Sequence, residues 1–259
     1  MPTPRPAALI RKTLRRLGFA HVRLVGGRAL VHGSELYHYF EAEHLRKVFE
    51  RFAVDCVFDV GANTGQHAVV LRRDVGFNGL IVSFEPLPAA AAQLRRRAAD
   101  DPNWIVEELA LSTADGEQEL NIMRGSQFSS LSRPRHDESD RFANANDVVA
   151  TAPVRTETLA TAYARLHARH GFARPFLKLD TQGYDVRIVE AGRSVLGHFV
   201  GLQSELAVKR LYDDSSDFRE ALAVYEDCGF ELSAFVPNSP SHFPRLIEVD
   251  CIMLRADLL

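Results

Sequence analysis

The chain has 259 residues, of which 46% are hydrophobic and 25% charged, a composition typical of a folded domain with a sizeable core. Its net charge of -3 argues against a general nucleic-acid-binding protein, for which we expect an excess of basic side chains. The basic residues concentrate at the start: residues 1–34 hold seven Lys and Arg side chains and no acid, which leaves 24 basic and 34 acidic side chains in the remainder.

The cysteines and the apolar runs indicate the compartment. Cys56, Cys228 and Cys251 form no Cys-x-x-Cys pair, and we interpret them as reduced, mostly buried thiols. No apolar run approaches the roughly 18–20 residues that span a bilayer, and the run at 7–10 is too short for the core of a signal peptide. We therefore expect a cytoplasmic protein.

Apolar periodicity predicts helices and strands in alternation along most of the chain. Two helices, at 9–17 and 35–52, come first. We then predict strands at 56–60, 80–85, 104–108, 151–156, 175–180, 199–205, 230–236 and 246–254, and helices at 64–74, 88–100, 157–170, 184–192 and 216–228. Residues 110–123 suggest a turn and a short extra strand. The polar stretch 124–150 is either a lid over a site or an ordinary surface loop.

This order of elements predicts the fold class. Strands that alternate with helices form a mostly parallel sheet, and the last two strands, with no helix between them, should pair antiparallel. We predict an α/β Rossmann-like, doubly wound sheet that ends in an antiparallel hairpin. It occupies a domain at 51–259, preceded by a helical extension at 1–50. The basic helix of that extension either packs on the body or docks on anionic lipid or an acidic substrate carrier.

The stretch VFDVGANTGQHA, residues 57–68, is the most specific motif in the chain. A short apolar strand carries Asp59 near its end and runs into a turn that contains Gly61 and Gly65. Twenty positions after Gly65, the next strand ends in Glu85. A glycine-containing turn followed by an acidic strand end is how α/β folds hold the ribose of an adenosine cofactor. An ordinary tight turn and a solvated strand end are the alternatives.

The turn reads Gly-Ala-Asn-Thr-Gly, so the middle glycine of the dinucleotide pattern Gly-x-Gly-x-x-Gly is absent. S-adenosylmethionine carries no phosphate but has an ammonium, a carboxylate and a sulfonium. Asp59 suits the amino-acid portion or a water beside it, backbone N–H groups near Gly61 suit the carboxylate, and Glu85 can accept both ribose hydroxyls. We therefore prefer S-adenosylmethionine to NAD(P).

With these motifs in place, the chain resembles the FkbM family of S-adenosylmethionine-dependent methyltransferases. The matching stretches are VFDVGANTGQHA, SFEPLP, ELALSTADGEQELNI, SSLS, FLKLDTQGYDVRIVEAG, GFEL and EVDCIML, which together span 57–254. The resemblance implies the class I methyltransferase fold and, usually, O-methylation of a hydroxyl. It also implies that Asp59, Gly61, Asn63, Gly65 and Glu85 line the cofactor and that Ala110 and Leu111 flank its adenine. The family commonly has Glu where this chain has Asp185.

Methylation of an alcohol needs a group that removes its proton. Asp180 follows the buried strand FLKL, at the carboxyl end where ligands bind in such sheets, so it is our first candidate, although it can instead cap the next helix. Lys178 lies on the same strand side and can pair with Asp180. Glu205 is the second candidate. A metal site on Asp180 and Glu205 is weakly supported because the third ligand is undefined. The loop residues His136 and His242 are lesser candidates for the base.

The sequence thus predicts an O-methyltransferase that acts on a small-molecule or glycan acceptor and methylates a hydroxyl of a sugar, glycoconjugate or other natural product. An NAD(P)-dependent oxidoreductase and a non-catalytic, cofactor-binding scaffold are the alternatives. A nucleic-acid methyltransferase is disfavoured, because the Asn-Pro-Pro-aromatic type of motif is absent and the body is acidic. We predict no resident metal.

Overall fold

The strands of the described residues form three sheets. The structure is a computed structural model and describes residues 13–24, 27–135, 147–237 and 244–259. In chain order the strands of these ranges are β1 (Phe19–Leu24), β2 (Gly27–His32), β3 (Cys56–Val60), β4 (Leu80–Phe84), β5 (Trp104–Glu107), β6 (Ala110–Ser112), β7 (Gly116–Met123), β8 (Val148–Thr158), β9 (Pro175–Leu179), β10 (Gly201–Ala207), β11 (Phe230–Pro237) and β12 (Glu248–Arg255).

Helices occupy most of the segments between the central strands. They are α1 (Leu36–Phe52), α2 (Gln66–Val70), α3 (Pro88–Ala98), α4 (Leu159–His170), α5 (Asp185–Ala191), α6 (Arg193–Leu196) and α7 (Phe218–Asp227). Helix α2 continues directly into a π-helical turn, Leu71–Val75. Helix α7 begins with a capping box, in which the Asp217 side chain accepts from the backbone of Glu220 and the Glu220 side chain accepts from that of Asp217.

The central sheet has seven strands in the order β11-β12-β10-β9-β3-β4-β5. Strand β12 runs antiparallel to both of its neighbours, whereas β10, β9, β3, β4 and β5 pair in parallel. This arrangement confirms the predicted α/β fold: a doubly wound, mostly parallel sheet of the class I methyltransferase type that ends in an antiparallel hairpin.

The two faces of this sheet carry separate apolar cores. Every residue of β3 and β9 is buried, which is why both strands read as short, nearly continuous apolar runs. Phe58 lies on the face covered by α4, α5 and α7, with its ring 5.4–5.6 Å from those of Phe84, Phe172 and Phe199. Its neighbour Val57 faces the opposite core, which α1 and α3 cover.

The second sheet differs from the prediction for 110–123. That segment contains two strands rather than one, and they join β8 in the order β6-β8-β7. Strand β8 begins at Val148, inside the stretch that we predicted as loop, and extends to Thr158. Exposed residues dominate its first half, so its apolar content is too low for sequence periodicity to reveal its full length.

The sequence predicted a helical extension at 1–50, but the described residues of this part also contain strands. Strands β1 and β2 pair antiparallel as a hairpin that we did not predict. Of the predicted helix 9–17, residues 13–16 are helical, and 9–12 lie outside the described residues. Helix α1 buries Leu45 and Phe49 in the core beside β3 and β9. The division of the chain at residue 50 stays a prediction.

Across the described ranges, none of the helices has the length and apolar character needed to cross a membrane. Cys56, Cys228 and Cys251 are all free thiols, and the first and last of these are buried.

Candidate active site

The turn after β3 includes residues in the left-handed backbone conformation. Gly61 has φ +77° and Asn63 has φ 48°, both in the left-handed region. A Cβ on Gly61 would lie 2.0 Å from the carbonyl oxygen of Asp180, so only glycine permits β3 and β9 to end this close together.

Gly65 lies where a side chain would not fit. A Cβ at this position would lie 2.7 Å from the Leu94 side chain and 2.9 Å from that of Trp104. Gly65 therefore allows the helix after the turn to pack closely on α3 and β5. It lines neither of the two openings described below.

A small cleft of about 60 Å³ lies beside this turn. Its lining includes Gly61 and Asn63 from the turn, Glu85 after β4, and Ala110 and Leu111 from β6. The structure thus brings five of the predicted cofactor residues, from three segments of the chain, to one cleft. Leu120, Leu131 and Tyr184 add apolar wall on the side of β6.

Glu85 and Asp180 are the two carboxyl groups that line the small cleft, and Glu85 is the more deeply buried of them. Only 6% of it is exposed, and its two carboxylate oxygens accept from the backbone N–H of Asn63 at 2.8 Å and of Leu87 at 2.9 Å. Burial raises the pKa of Glu85 to about 7, although these two hydrogen bonds act in the opposite direction. Each oxygen keeps a further lone pair with which to accept a ligand hydroxyl.

Asp59 is fully buried at the end of β3, on the sheet face next to the large cavity described below. The Trp104 indole N–H donates to Ser83 Oγ, which donates to Asp59 Oδ2 at 2.9 Å. In the part of the chain that the structure describes, Asp59 Oδ1 has no hydrogen-bond partner. Burial raises the pKa of this carboxyl, and the charge of Lys178 partly offsets the effect. A buried acceptor without a partner carries a cost that a donor from a ligand or a water removes.

Lys178, Asp180 and Glu205 form one hydrogen-bonded group. Lys178 Nζ donates to Asp180 Oδ2 at 2.9 Å. The Gln182 side-chain amide donates both to Asp180 Oδ1 and to Glu205 Oε2, each at 2.9 Å. Gln182 thereby joins the two candidate carboxylates, and its own oxygen accepts from the Tyr212 hydroxyl at 3.0 Å.

The charge of Lys178 favours the ionised form of Asp180, and the charge of Asp180 favours the ionised form of Lys178. Burial opposes ionisation of both groups, but Lys178 outweighs it and holds the pKa of Asp180 below its ordinary value. Asp180 and Asp59 likewise raise the pKa of Lys178 above its ordinary value. Asp180 is therefore a carboxylate at neutral pH. Its side chain keeps 38% exposure despite its depth in the fold, because it faces the large cavity.

The large cavity has a volume of about 610 Å³ and lies at the carboxyl ends of the central strands. Strand register explains its polar floor, because Ser83, Asp59, Lys178 and Gln203 are successive partners across β4, β3, β9 and β10. Glu205 faces Asp250 in the same way across β10 and β12. Asp180 lines both the large cavity and the small cleft and therefore marks their junction.

Several residues of the large cavity escaped the sequence analysis. They are Tyr37, His38 and Glu41 of α1, His67 of α2, Gln203 of β10, and Glu248 and Asp250 of β12. Burial lowers the pKa of His67 to about 3, and Lys178 adds to the effect, so its imidazole is neutral. The alternation of polar and apolar residues in β12 was the one available signal. Nothing in α1 distinguishes cavity residues from an ordinary solvated helix face.

Asp185 occupies the position where the resemblance leads one to expect Glu. It is 4% exposed and accepts from the Thr181 backbone at 2.8 Å, from the Thr181 hydroxyl, and from Ser204 Oγ at 2.8 Å. It therefore holds the loop after β9 against β10. The shorter Asp side chain reaches these partners from the first turn of α5.

The segment after β7 covers the small cleft. Ser130 Oγ donates to the carbonyls of Thr181 and Gln182, and Gln127, Ser129, Ser130 and Leu131 line the cleft. Residues 136–146, with the candidate base His136, lie outside the described residues, as does His242. The action of 124–150 as a lid stays a prediction. In the described ranges, no group of three or more His, Cys, Asp or Glu side chains has the arrangement of a metal site.

Comparison with models of protein families matches residues 59–232 to the methyltransferase FkbM domain. The matched segment includes the turn after β3, Glu85, β6 and the group around Asp180. It excludes α1 and β12, which supply the far walls of the large cavity. No curated protein matches the chain.

Among solved structures, the chain is similar to fibrillarin from Aeropyrum pernix with natively bound S-adenosyl-L-methionine, at 13% identity and a TM-score of 0.46, over 92% of this chain and 83% of that one. It is also similar to magnesium protoporphyrin IX methyltransferase from Synechocystis PCC 6803, at 9% identity and a TM-score of 0.46, over 98% of this chain and 99% of that one. Methyltransferase FkbM from Methylobacillus flagellatus KT is similar at 11% identity and a TM-score of 0.45, over 77% of this chain and 43% of that one. Similarity at this level identifies no acceptor.

Proposed function

This chain belongs to the FkbM methyltransferase family, and we propose that it is an S-adenosylmethionine-dependent O-methyltransferase that acts on a hydroxyl of a sugar, glycoconjugate or other natural product. The observation that carries the proposal is the position of Asp180, a carboxylate at the junction of the small cleft and the large cavity. Family membership favours methyl transfer over the oxidoreductase alternative.

The small cleft and the adjoining turn fit the cofactor. Glu85 offers acceptor lone pairs to the ribose hydroxyls, and Ala110 and Leu111 offer apolar surface to the adenine. Asp59 Oδ1, buried and without a partner, offers an acceptor to the cofactor ammonium or to a water beside it. When bound, S-adenosylmethionine supplies a methyl group that its sulfonium has already activated.

The residues of the chain then provide alignment and proton removal. Asp180 is ionised and has access to the large cavity, so it can accept the proton of a hydroxyl placed at the junction. Lys178 and Gln182 fix the orientation of that carboxylate through one hydrogen bond to each of its oxygens. General-base assistance of this kind contributes about 10²–10⁴-fold to a rate, and alignment of the reactants contributes on the order of 7–11 kcal/mol.

Glu205 is a second candidate, joined to Asp180 by Gln182. It lines the large cavity but not the small cleft. We therefore assign it contact with the acceptor rather than proton removal. A carboxylate in that position can accept hydrogen bonds from further hydroxyls of a polyol.

The test measures S-adenosylhomocysteine binding by calorimetry and methyl transfer from labelled S-adenosylmethionine to a panel of sugars and glycolipid precursors. NAD⁺ and NADP⁺ are titrated in parallel. We expect binding of S-adenosylhomocysteine alone and methylation of at least one hydroxyl compound. Asp180→Asn should keep the affinity for S-adenosylhomocysteine and lower turnover about 10²–10⁴-fold. The exposed Asp100→Asn is the matched control and should leave both unchanged.

Two results would overturn the proposal. Tight binding of a nicotinamide cofactor without S-adenosylhomocysteine binding would contradict the cofactor assignment. Cofactor binding without methylation of any compound in the panel would favour the scaffold alternative. Unchanged turnover in Asp180→Asn would remove Asp180 as the base but leave the rest of the proposal in place.

A further inference from the structure

The far half of the large cavity is strongly acidic. Glu41 of α1 and Glu248 and Asp250 of β12 line it, in addition to Asp59, Asp180 and Glu205 nearer the small cleft. Lys178 is the only Lys or Arg among the lining residues of the described chain, and Asp180 already pairs with it at 2.9 Å. Glu41 Oε2 lies 3.9 Å from Nδ1 of His38, which also lines the cavity. Glu248 and Asp250 therefore present carboxyl groups that form no ion pair with another side chain of the described residues.

Gln203 shows independently that this half of the cavity is built to receive donors. It is 1% exposed and lines the cavity. Its side-chain nitrogen donates to Glu41 Oε1 at 2.7 Å, which directs its oxygen away from Glu41, and that oxygen has no hydrogen-bond partner among the described residues. A buried amide oxygen without a donor costs free energy that a ligand with N–H or O–H groups would recover.

The carboxyl groups are also close enough to affect one another. Burial raises the pKa of Asp250 well above its ordinary value, and the charge of Glu41 adds to the effect. Burial similarly raises the pKa of Glu248 to about 7, with a contribution from Asp180. Such a group disfavours an anionic ligand such as a phosphate or a nucleic acid, and a bound cation would relieve the repulsion within it.

We propose that the acceptor is an amino sugar or another polyol with a protonated amine, and that its ammonium group binds between Glu41, Glu248 and Asp250 with Gln203 Oε1 as a further acceptor. The proposal rests on the proposed function only in that the bound molecule is taken to receive the methyl group. Binding of its ammonium group can be measured without turnover. Hydroxyl groups of the same molecule would extend toward Glu205 and Asp180 at the junction with the small cleft.

The test compares three ligands by calorimetry on the full chain saturated with S-adenosylhomocysteine: glucosamine, glucose and N-acetylglucosamine. These share a ring but differ in whether they carry a protonated amine. We expect glucosamine to bind at least about tenfold more tightly than the other two, a difference of about 1.4 kcal/mol. Glucosamine 6-phosphate should bind more weakly than glucosamine, because its phosphate meets the same carboxyl groups.

Two cavity variants and one control locate the site. Glu41→Gln and Glu248→Gln each keep the side-chain shape and should weaken glucosamine binding about tenfold while leaving glucose binding unchanged. Glu231→Gln removes a carboxylate from an exposed position on β11 and should have no effect. Thermal melting of all three confirms that they are folded.

Equal affinities for glucosamine, glucose and N-acetylglucosamine, including no binding by any of them, would overturn the inference. So would unchanged glucosamine binding in both cavity variants, which would place the ammonium elsewhere. Failure of the proposed function gives a different result, since S-adenosylhomocysteine would then not bind, or no hydroxyl compound would be methylated.

Discussion

The protonation state of Glu85 should control the affinity for the cofactor. Burial raises the pKa of this carboxyl to about 7, so it ionises as the pH rises through neutrality. Only the carboxylate form can accept from both ribose hydroxyls while it also accepts from Asn63 and Leu87. Affinity for S-adenosylhomocysteine should therefore increase with pH over the range in which Glu85 loses its proton.

The expected size of this effect follows from the pKa. A group with a pKa of about 7 is ionised to about one tenth at pH 6 and about nine tenths at pH 8, so the affinity should differ about tenfold, or about 1.4 kcal/mol. Glu85→Ala should weaken binding by tenfold or more at pH 8, because a hydrogen bond to a charged group contributes about 1.5–3 kcal/mol. The variant should also lose most of the pH dependence.

Calorimetry at pH 6, 7 and 8 with the wild-type chain, Glu85→Ala and the exposed-site control Glu117→Gln provides the assay. Adenosine serves as a second ligand, because it has the ribose but no amino-acid portion that titrates. Equal wild-type affinity for adenosine at pH 6 and pH 8, with Glu85→Ala within twofold of wild type, would refute the reasoning. Glu85 would then lie outside the ribose site.

Three further predictions concern the scaffold around the site. Gly61→Ala should lower the free energy of unfolding by about 1–3 kcal/mol more than Gly76→Ala. Both glycines have φ +77°, but of the two only Gly61 faces a backbone carbonyl, that of Asp180. Equal urea midpoints for the two variants would contradict this prediction. Phe58→Ala should cost about 3–5 kcal/mol, since the ring is fully buried, and a loss under about 1 kcal/mol in chemical denaturation would disagree. Asp217→Ala removes the cap of α7 and should cost about 1 kcal/mol by the same measurement, without any change in S-adenosylhomocysteine affinity.

Sequence alone predicted the parts of the site that depend on local order. The apolar run of β3, the turn at Gly61 and the acid at the end of β4 follow one another within 30 residues, and a parallel sheet brings neighbouring strand ends together. Asp180 and Lys178 were predictable for the same reason, because they lie at the end of a buried strand. The motif predicts Gly65 in the cofactor site, which stays a prediction, and the structure adds that a side chain at this position would collide with Trp104.

The far wall of the large cavity was not predictable in this way. Glu41 and Asp250 are separated by most of the chain and meet only because α1 packs beside β11 while β12 lies next to β10. A carboxylate on an amphipathic helix has the same local pattern whether it faces water or a cavity. The hairpin of β1 and β2 lies within 18–34, where the apolar pattern predicted neither a helix nor a strand.

The division of the large cavity between two parts of the chain bears on how such an enzyme diversifies. Residues within 59–232, the matched segment, supply the turn, Glu85 and Asp180, whereas α1 and β12 supply Glu41, Glu248 and Asp250. Under the proposed function, mutations in α1 and β12 would alter contacts to the acceptor and leave Glu85 and Asp180 in place. On the same proposal, exchange of α1 and the β11–β12 hairpin between related enzymes would give chimaeras with new acceptor preferences.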